Sequence, residues 1–594
     1  MQKKDLIYPS DFESKIGFDR IRAMLSQKCI SPMGIRQVES LCMQADFCKV
    51  EVLLNQTEEF RQICLQNLPF PSSHYLDLTP SLKRIKTAGT FLEPEELTDL
   101  KVSYQSILSI HVFLNKKGSN GQHLFPALNT IVGEFEPQTG LIKSIETIVD
   151  ERSTVRNNAS KTLAGIRQKK QRMEAEVVKK VSLLLQFAKR EGLVADDVEL
   201  SLRNGRQVIP LPVANKRKIK GVIHDQSATG QTCFVEPIEA FEINNEIGEL
   251  QIQENLEIIR ILKSFADYLR PMVSQLLTSY GMLGTIDFVR AKALLALEMG
   301  AMLPQLNDKP IMQWTKAYHP LLYLSHKAQN KWVEPLTITL NEQQRILVIS
   351  GPNAGGKSVC LKTCGLLQYM LQCGLLVPME SYSDVGIFQR IFIDIGDQQS
   401  IDNDLSTYSS HLLNMKFFMG NATQQTLFLI DEFGAGTEPR IGGALAEATL
   451  EKLNASGALG VITTHYANLK LMAGKHHGIC NASMLFDTTS MRPLFKMKIG
   501  NPGSSFAFEI ARSIGLPEEI LQRAGDTLGV QDLDFDRQLQ DLETKKLALE
   551  EKELHLKLMD KHFSELVDKY EILHNELEDK KGEIMAKARS DAKK

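Results

Sequence analysis

The sequence predicts a multidomain protein of the α + α/β class. A helical core with long lever helices and a small β-rich, clamp-like head comes first, then an α/β domain, then a charged C-terminal coiled coil. Three observations carry that prediction. The apolar run Arg345 to Ser350 opens into a glycine-rich loop ending in Lys357-Ser358, and an amphipathic helix follows. Two long helical stretches enclose short β-like runs between Glu199 and Pro237. A seven-residue apolar repeat runs through the C-terminal segment.

At 594 residues the chain has room for about four domains. Charged residues make up 24% and hydrophobic residues 43%, the balance of an ordinary globular protein. A net charge of −3 provides no global field for nucleic acid, so any such surface must be local. The nine cysteines are scattered, without a Cys-x-x-Cys pair. Cys360 and Cys364, four apart on the helix after the loop, read as packing residues. Without a paired framework or a signal segment, the reducing cytoplasm is the expected location. No uncharged run has transmembrane length, and no membrane association is expected.

Residues 1–143 read as a helical core, with sparse Gly and Pro and a helical period, as in Glu95 to Leu108. Residues 144–310 read as the lever. A long charged helix is expected from about Ser144 to Arg190, and a second from Ile238 to about Met302. Between them, at about 197–237, runs such as Val208–Val213 and Cys233–Val235 alternate with turns and predict a small antiparallel module. Two antiparallel helices would carry it at their far tip. This head is locally basic: Arg203, Arg206, Lys216, Arg217, Lys218 and Lys220 stand against one acid, Asp225. Such a patch is a candidate for the phosphate backbone of a nucleic acid, because each neutralised phosphate releases counterions. A solvated hairpin surface is the alternative.

Residues 311–530 read as an α/β domain with a phosphate loop. In Gly351-Pro352-Asn353-Ala354-Gly355-Gly356-Lys357-Ser358 the backbone N–H groups and the next helix N-terminus form a concave anion site. Lys357 can reach the β- and γ-phosphates, and the Ser358 hydroxyl can ligate Mg²⁺. ATP and Mg²⁺ are the ligands this predicts. Thr426–Ile430 is an apolar strand ending in two carboxylates. Beside the loop it places Asp431 at the Mg²⁺ shell and leaves Glu432 to polarise the attacking water. Leu459-Gly-Val-Ile-Thr-Thr464-His465 reads as a further buried strand ending in a polar cluster, and His465 at that strand end can sense or orient the γ-phosphate. Asp404 to His411 opens a helix, where Ser406 and Thr407 offer hydroxyls and free N–H groups as a second anion site.

Residues 531–594 are almost pure charge and leucine. Leu542, Leu549, Leu556, Phe563, Tyr570, Leu577 and Ile584 fall every seven residues, which implies a left-handed coiled coil. Met559, Leu566 and Leu573 supply the matching positions in the middle, while Lys545, Lys552, Lys580 and Lys587 occupy them at the ends. Pairing within or between subunits, or a single solvated helix, all remain open.

Phosphate loop, Ser/Thr helix, acid pair and switch histidine, in this order, resemble the MutS family. Ser350-Gly-Pro-Asn-Ala-Gly-Gly-Lys-Ser358, Asp431-Glu-Phe-Gly-Ala-Gly-Thr437 and Thr463-Thr-His465-Tyr466 match its motifs, as do Tyr318-His319-Pro320 and Gly500 to Ala511. Asp431-Glu-Phe-Gly-x-Gly-Thr and Leu405-Ser-Thr-Tyr-Ser-Ser-His411 resemble the second bacterial branch, MutS type II. The motifs cover about 300–530, and His224 to Pro237 extends the likeness to most of the chain.

The resemblance implies a P-loop, ABC-type homodimeric ATPase in which Ser406 and Thr407 complete the partner's site. It implies either a clamp on branched or damaged DNA that suppresses homologous recombination, or an ATPase that splits stalled or collided ribosomes. A structural dimer serving a separate nuclease domain is a third option. The chain begins directly with the helical core, so mismatch reading is not expected. It stops at Lys594 without the Smr motifs of the branch, so nuclease activity is not expected from these residues.

Overall fold

The computed structural model describes residues 6–133, 135–138, 140–352, 355–396, 407–487, 492–504, 506–528 and 530–592. Its strands, in chain order, are β1 (Ile7–Tyr8), β2 (Ser201–Arg203), β3 (Arg206–Pro212), β4 (Gly221–Gln226), β5 (Thr232–Pro237), β6 (Gln305–Asn307), β7 (Met312–Ala317) and β8 (Leu336–Leu340). They continue as β9 (Gln344–Ser350), β10 (Asp384–Gly386), β11 (Arg390–Asp394), β12 (Thr426–Ile430), β13 (Leu459–Thr463), β14 (Gly478–Asp487) and β15 (Arg492–Ile499). These build three sheets, and the chain divides into two units.

One unit comprises Arg22–Leu41 and Asn55–Leu295. Its core forms because helix Pro94–Leu114 repeats apolar residues at helical spacing. Leu97, Leu100, Tyr104 and Ile107 are fully buried with Leu283 and Ile286. A buried carboxylate locks the base of this core. Asp287 accepts hydrogen bonds from the backbone N–H of Ile30 and Ser31 and from the Ser31 hydroxyl. Ser31 in turn caps helix Pro32–Glu39 by accepting from Gly34. A Cβ at Gly34 would lie 2.4 Å from Asp287 Oδ2, so only glycine fits there.

The two long helices of this unit, Lys161–Arg190 and Ile238–Leu269, run antiparallel. Their cross-links show it: Ser160 meets Glu257, Arg167 meets Glu254, and Lys169 meets Glu246 at 2.7 Å. Neither helix has the continuity the sequence predicts. In place of one helix from Ser144 to Arg190, helix Leu141–Ile148 ends in a loop closed by the bridge Val149–Val155. Asp150 holds that loop by accepting from the N–H groups of Arg152 and Thr154. The next helix restarts only where Ser160 caps Leu163. The second stretch breaks into a 3-10 turn at Arg270–Met272 around Pro271, and helix Val273–Met299 follows.

Between the long helices lies an antiparallel sheet in the order β2-β3-β5-β4. Its inner face buries Ile209, Leu211, Cys233 and Val235 against Val177, Val181 and Leu185 of the first long helix. The fully buried Glu236 closes the module. It accepts from Arg206 Nη1 at 3.0 Å and Asn244 Nδ2 at 2.6 Å, and His224 Nε2 lies 2.5 Å away.

The other unit takes in the chain up to Ile21, Cys42–Leu54 and everything from Ala296. Its main sheet has the order β1-β11-β12-β13-β9-β14-β15. From β1 to β14 the pairs are parallel, and β15 is antiparallel to β14. Strands β12 and β13 are buried at every position, as strands covered on both faces must be. A smaller sheet, β6-β10-β7-β8, belongs to the same unit. The chain then enters a single helix of 62 residues, Val530–Asp591.

Candidate functional site

The parallel strands end together. Thr463 pairs with Ile349, Ile462 with Ile430, and Ile430 with Asp394, so β9, β13, β12 and β11 present their carboxyl ends at one edge. Open sheets of this kind bind ligands at that edge.

Strand β9 leaves the sheet through Gly351, whose φ of 133° and near contact with Met484 admit no side chain; a Cβ would lie 3.0 Å from Met484 Cβ. Gly356, at φ 92°, turns the chain into helix Lys357–Gln372. Asn353 and Ala354 lie outside the described residues, whereas Pro352 accepts from the Gly355 N–H at 3.0 Å. Lys357 is buried. Its ammonium donates to the Gly351 carbonyl at 2.7 Å and lies 3.2 Å from His465 Nε2. Burial drives its pKa down to about 8 against the opposing pull of Glu432; Lys470 adds to the drop and Asp431 offsets it. A cation held this way gains from an anion arriving beside it. Ser358, the next residue of the helix, is exposed to the same opening.

The acid pair is oriented by one residue of the neighbouring strand. Thr463 donates its hydroxyl to Asp431 Oδ1 at 2.6 Å and accepts from the Glu432 N–H at 2.8 Å. Glu432 sits at φ 46°, a costly conformation for a residue with a Cβ, and its side chain is exposed. His465 follows β13 by two residues. Packing around the ring, then the Lys357 and Lys470 cations, push its pKa down to about 4, so near neutral pH the imidazole is uncharged beside Lys357. The structure thus brings Lys357, Asp431, Glu432 and His465 to one place. Of the residues expected to serve a partner's site, Ser406 lies outside the described residues. Thr407 opens helix Thr407–Asn421, with no side chain described.

Strand β11 contributes a carboxylate that motif reading passes over. Asp394, buried at its end, accepts from Asn414 Nδ2 at 2.8 Å and sits 2.7 Å from His411 Nδ1. Its backbone carbonyl accepts from the Asp431 N–H at 2.9 Å. Tyr8, on β1, donates to Asn414 Oδ1 at 2.9 Å. The one available signal was an apolar run, Arg390–Asp394, ending in an acid as β12 does.

Beside the loop lies a cleft lined by His319, Trp332, Phe495 and Met497 together with Gly356 and Ser358. Burial, then the Lys362 cation, push the His319 pKa down to about 4, leaving a neutral ring on this wall. Flat, apolar walls opening onto a phosphate-type loop fit a nucleotide base. For a divalent ion the donors are Ser358 and Asp431, a hydroxyl and a carboxylate. That is the sparse set Mg²⁺ uses when phosphates and water complete its shell. Among the described residues no group of three or more His, Cys, Asp or Glu could hold a metal by itself.

The six basic residues of the head divide. Lys216, Arg217, Lys218 and Lys220 are all exposed on the connection between β3 and β4. Arg203 lies over the Phe234 ring at 4.0 Å and 3.3 Å from Asp225. Arg206 is turned inward onto Glu236 and Asn245.

Residues 347–531 match the family model described as MutS domain V, which puts the parallel sheet and its loop in the MutS class. The chain is 33% identical over 554 residues to "Endonuclease MutS2" of Finegoldia magna, covering 93% of this chain and 69% of that protein. It is 34% identical to the protein of that name from Geobacillus sp., covering 90% and 67%, and 34% identical to that of Enterococcus faecalis, covering 95% and 70%. The chain belongs to the MutS2 family. It spans about two thirds of the length of these relatives. No helix among the described residues is long and apolar enough to cross a membrane.

Proposed function

We propose that the chain is an ATP-driven homodimeric clamp for branched or otherwise non-B DNA, which it holds so as to restrain homologous recombination. The observation that carries the ATPase part is the meeting of Lys357, Asp431, Glu432 and His465 at the carboxyl edge of the sheet. The loop from Gly351 to Ser358 binds the phosphates, and the cleft beside His319 takes the base. Mg²⁺, held by Ser358 and Asp431, supplies charge neutralisation at the phosphates. Glu432, held at the strand end by Thr463, takes a proton from the attacking water, and His465 reads the presence of the terminal phosphate from beside Lys357. Ser406 and Thr407 complete the site of the second subunit.

The DNA part rests on the exposed residues Lys216–Lys218 and Lys220, with the half-buried Arg203 as a further cation beside Asp225; such cations can meet phosphates without reading sequence. Arg206 supports that surface from within by neutralising Glu236. The test compares stimulation of ATP hydrolysis by four-way DNA junctions, by plain duplex and by ribosomes. Stimulation by junctions above duplex is expected, with an affinity that falls steeply with salt. Stimulation by ribosomes alone would move the partner to the ribosome. Stimulation by none would leave an ATP-gated structural dimer. The nuclease chemistry in the relatives' name is assigned to no residue of this chain.

A further inference from the structure

Helix Val530–Asp591 carries its apolar stripe uncovered. Leu549, Leu556, Phe563, Tyr570, Leu577 and Ile584 recur every seven residues, and all are exposed, Phe563 to 70% and Tyr570 to 73%. The second row of the stripe, three residues on in each heptad, reads Lys545, Lys552, Met559, Leu566, Leu573 and Lys580, also exposed. Two rows at this spacing are the seam of a coiled coil, which forms only against another helix.

The order of residues along the seam selects the occupant and its direction. The first row is apolar throughout, whereas the second is apolar in the middle and lysine at both ends. In a parallel, in-register pair each residue meets its own copy, so Lys545, Lys552, Lys580 and Lys587 would make four layers of opposed ammonium groups. In an antiparallel pair the first row of one helix faces the second row of the other. Setting Phe563 opposite Leu566 then generates the layers Leu556 with Leu573, Met559 with Tyr570, Leu549 with Lys580, Lys552 with Leu577, and Lys545 with Ile584. Every layer occurs twice about a central dyad, and none pairs two lysines. Each lysine stem lies across an aliphatic side chain and carries its ammonium out to water. Flanking pairs such as Glu576 with Lys581 favour the parallel arrangement, but they are solvent-exposed and contribute little beside four like-charged layers.

We propose that this helix pairs with the same helix of a second copy of the chain, antiparallel, with the two-fold axis at Phe563 and Leu566. The contact is isologous and closes on itself. It stands apart from the ATPase reading and does not depend on it.

Disulfide trapping in the full chain tests the pairing. The native cysteines all precede this helix, ending at Cys480, so linked peptides identify themselves by mass. The substitutions Leu556→Cys and Leu573→Cys fall on exposed positions and leave the fold intact. Mixing the two variants is expected to give the 556–573 link, while Leu556→Cys alone gives no 556–556 link. In the antiparallel pair those two sites are about 25 Å apart along the axis, from the 1.5 Å helical rise. A 556–556 link would establish the parallel pair and overturn the proposal. Absence of both links would also overturn it, showing that something other than a second copy covers the stripe. Sedimentation of the unlinked variants keeps this separate from dimerisation through the ATP site, since a dimer that traps neither pair is held elsewhere.

Discussion

His411 Nδ1 lies 2.7 Å from Asp394 Oδ2, joining the helix that begins at Thr407 to the end of β11. An ionised carboxylate only accepts, so Nδ1 carries the proton. Because the Asp394 carbonyl also holds the Asp431 N–H, one residue ties that helix to the acid pair. His411→Ala leaves a buried carboxylate short of one donor and is expected to lower stability by about 1–3 kcal/mol. ATP turnover should fall while ATP affinity is kept. Urea unfolding and single-turnover hydrolysis check both; an unchanged denaturation midpoint would mean that the pair does not hold the helix.

Glu432→Gln keeps the shape of the side chain and the Thr463 contact to the backbone, and removes only the base. Hydrolysis is expected to drop by about 100-fold or more, the usual contribution of a positioned general base, with nucleotide affinity retained. Because φ is 46° at this position, Glu432→Gly is expected to relax the turn and to be at least as stable as the parent. Steady-state turnover of Glu432→Gln at the parental level would remove the residue from its role.

The parts of the site legible in the sequence are those whose chemistry is local. Gly351 and Gly356 announce themselves because a positive φ needs glycine, and Lys357 because it follows at fixed spacing. The pairing of Asp394 with His411 was not legible, since it depends on which strand lies beside β12. Arg206 shows the same limit. Charge counting places it with the surface cations, and only the fold reveals Glu236, 30 residues on, waiting inside. The long helices were legible in type and not in continuity. Pro271 and the Asp150 turn break them with residues whose local hydrogen bonding or missing N–H outweighs the helical period.

The depressed pKa of Lys357 makes ATP binding pH-dependent. With a folded value of about 8 below the ordinary ~10.4, the free protein binds fewer protons than the unfolded chain between those values. Stability from this group therefore rises with pH across that window, and the full cost of the buried cation is present below it. Phosphate binding favours the charged form and reverses the shift. ATP affinity is thus expected to fall as pH climbs through 8, by up to about tenfold per pH unit, with proton uptake on binding. Calorimetry in two buffers of different ionisation enthalpy reads that uptake directly. Lys357→Arg, which stays charged, should flatten the profile; a flat profile in the parent protein would contradict the buried, phosphate-facing lysine.

The two kinds of arginine and lysine in the head should separate cleanly. Neutralising Lys216, Arg217 and Lys218 together removes three exposed cations with no buried partner to strand, so stability should change by less than about 0.5 kcal/mol each. DNA affinity should fall for every sequence alike, and the slope of log K against log salt should flatten by about 2.7, at 0.9 per lost phosphate contact. Arg206→Ala does the opposite. It leaves the fully buried Glu236 without its cation and should destabilise the head by about 3–5 kcal/mol. Hydrogen exchange of β3 to β5, beside junction binding for the triple variant, distinguishes the two. Equal losses of DNA affinity at unchanged head protection in both variants would place Arg206 on the binding surface after all.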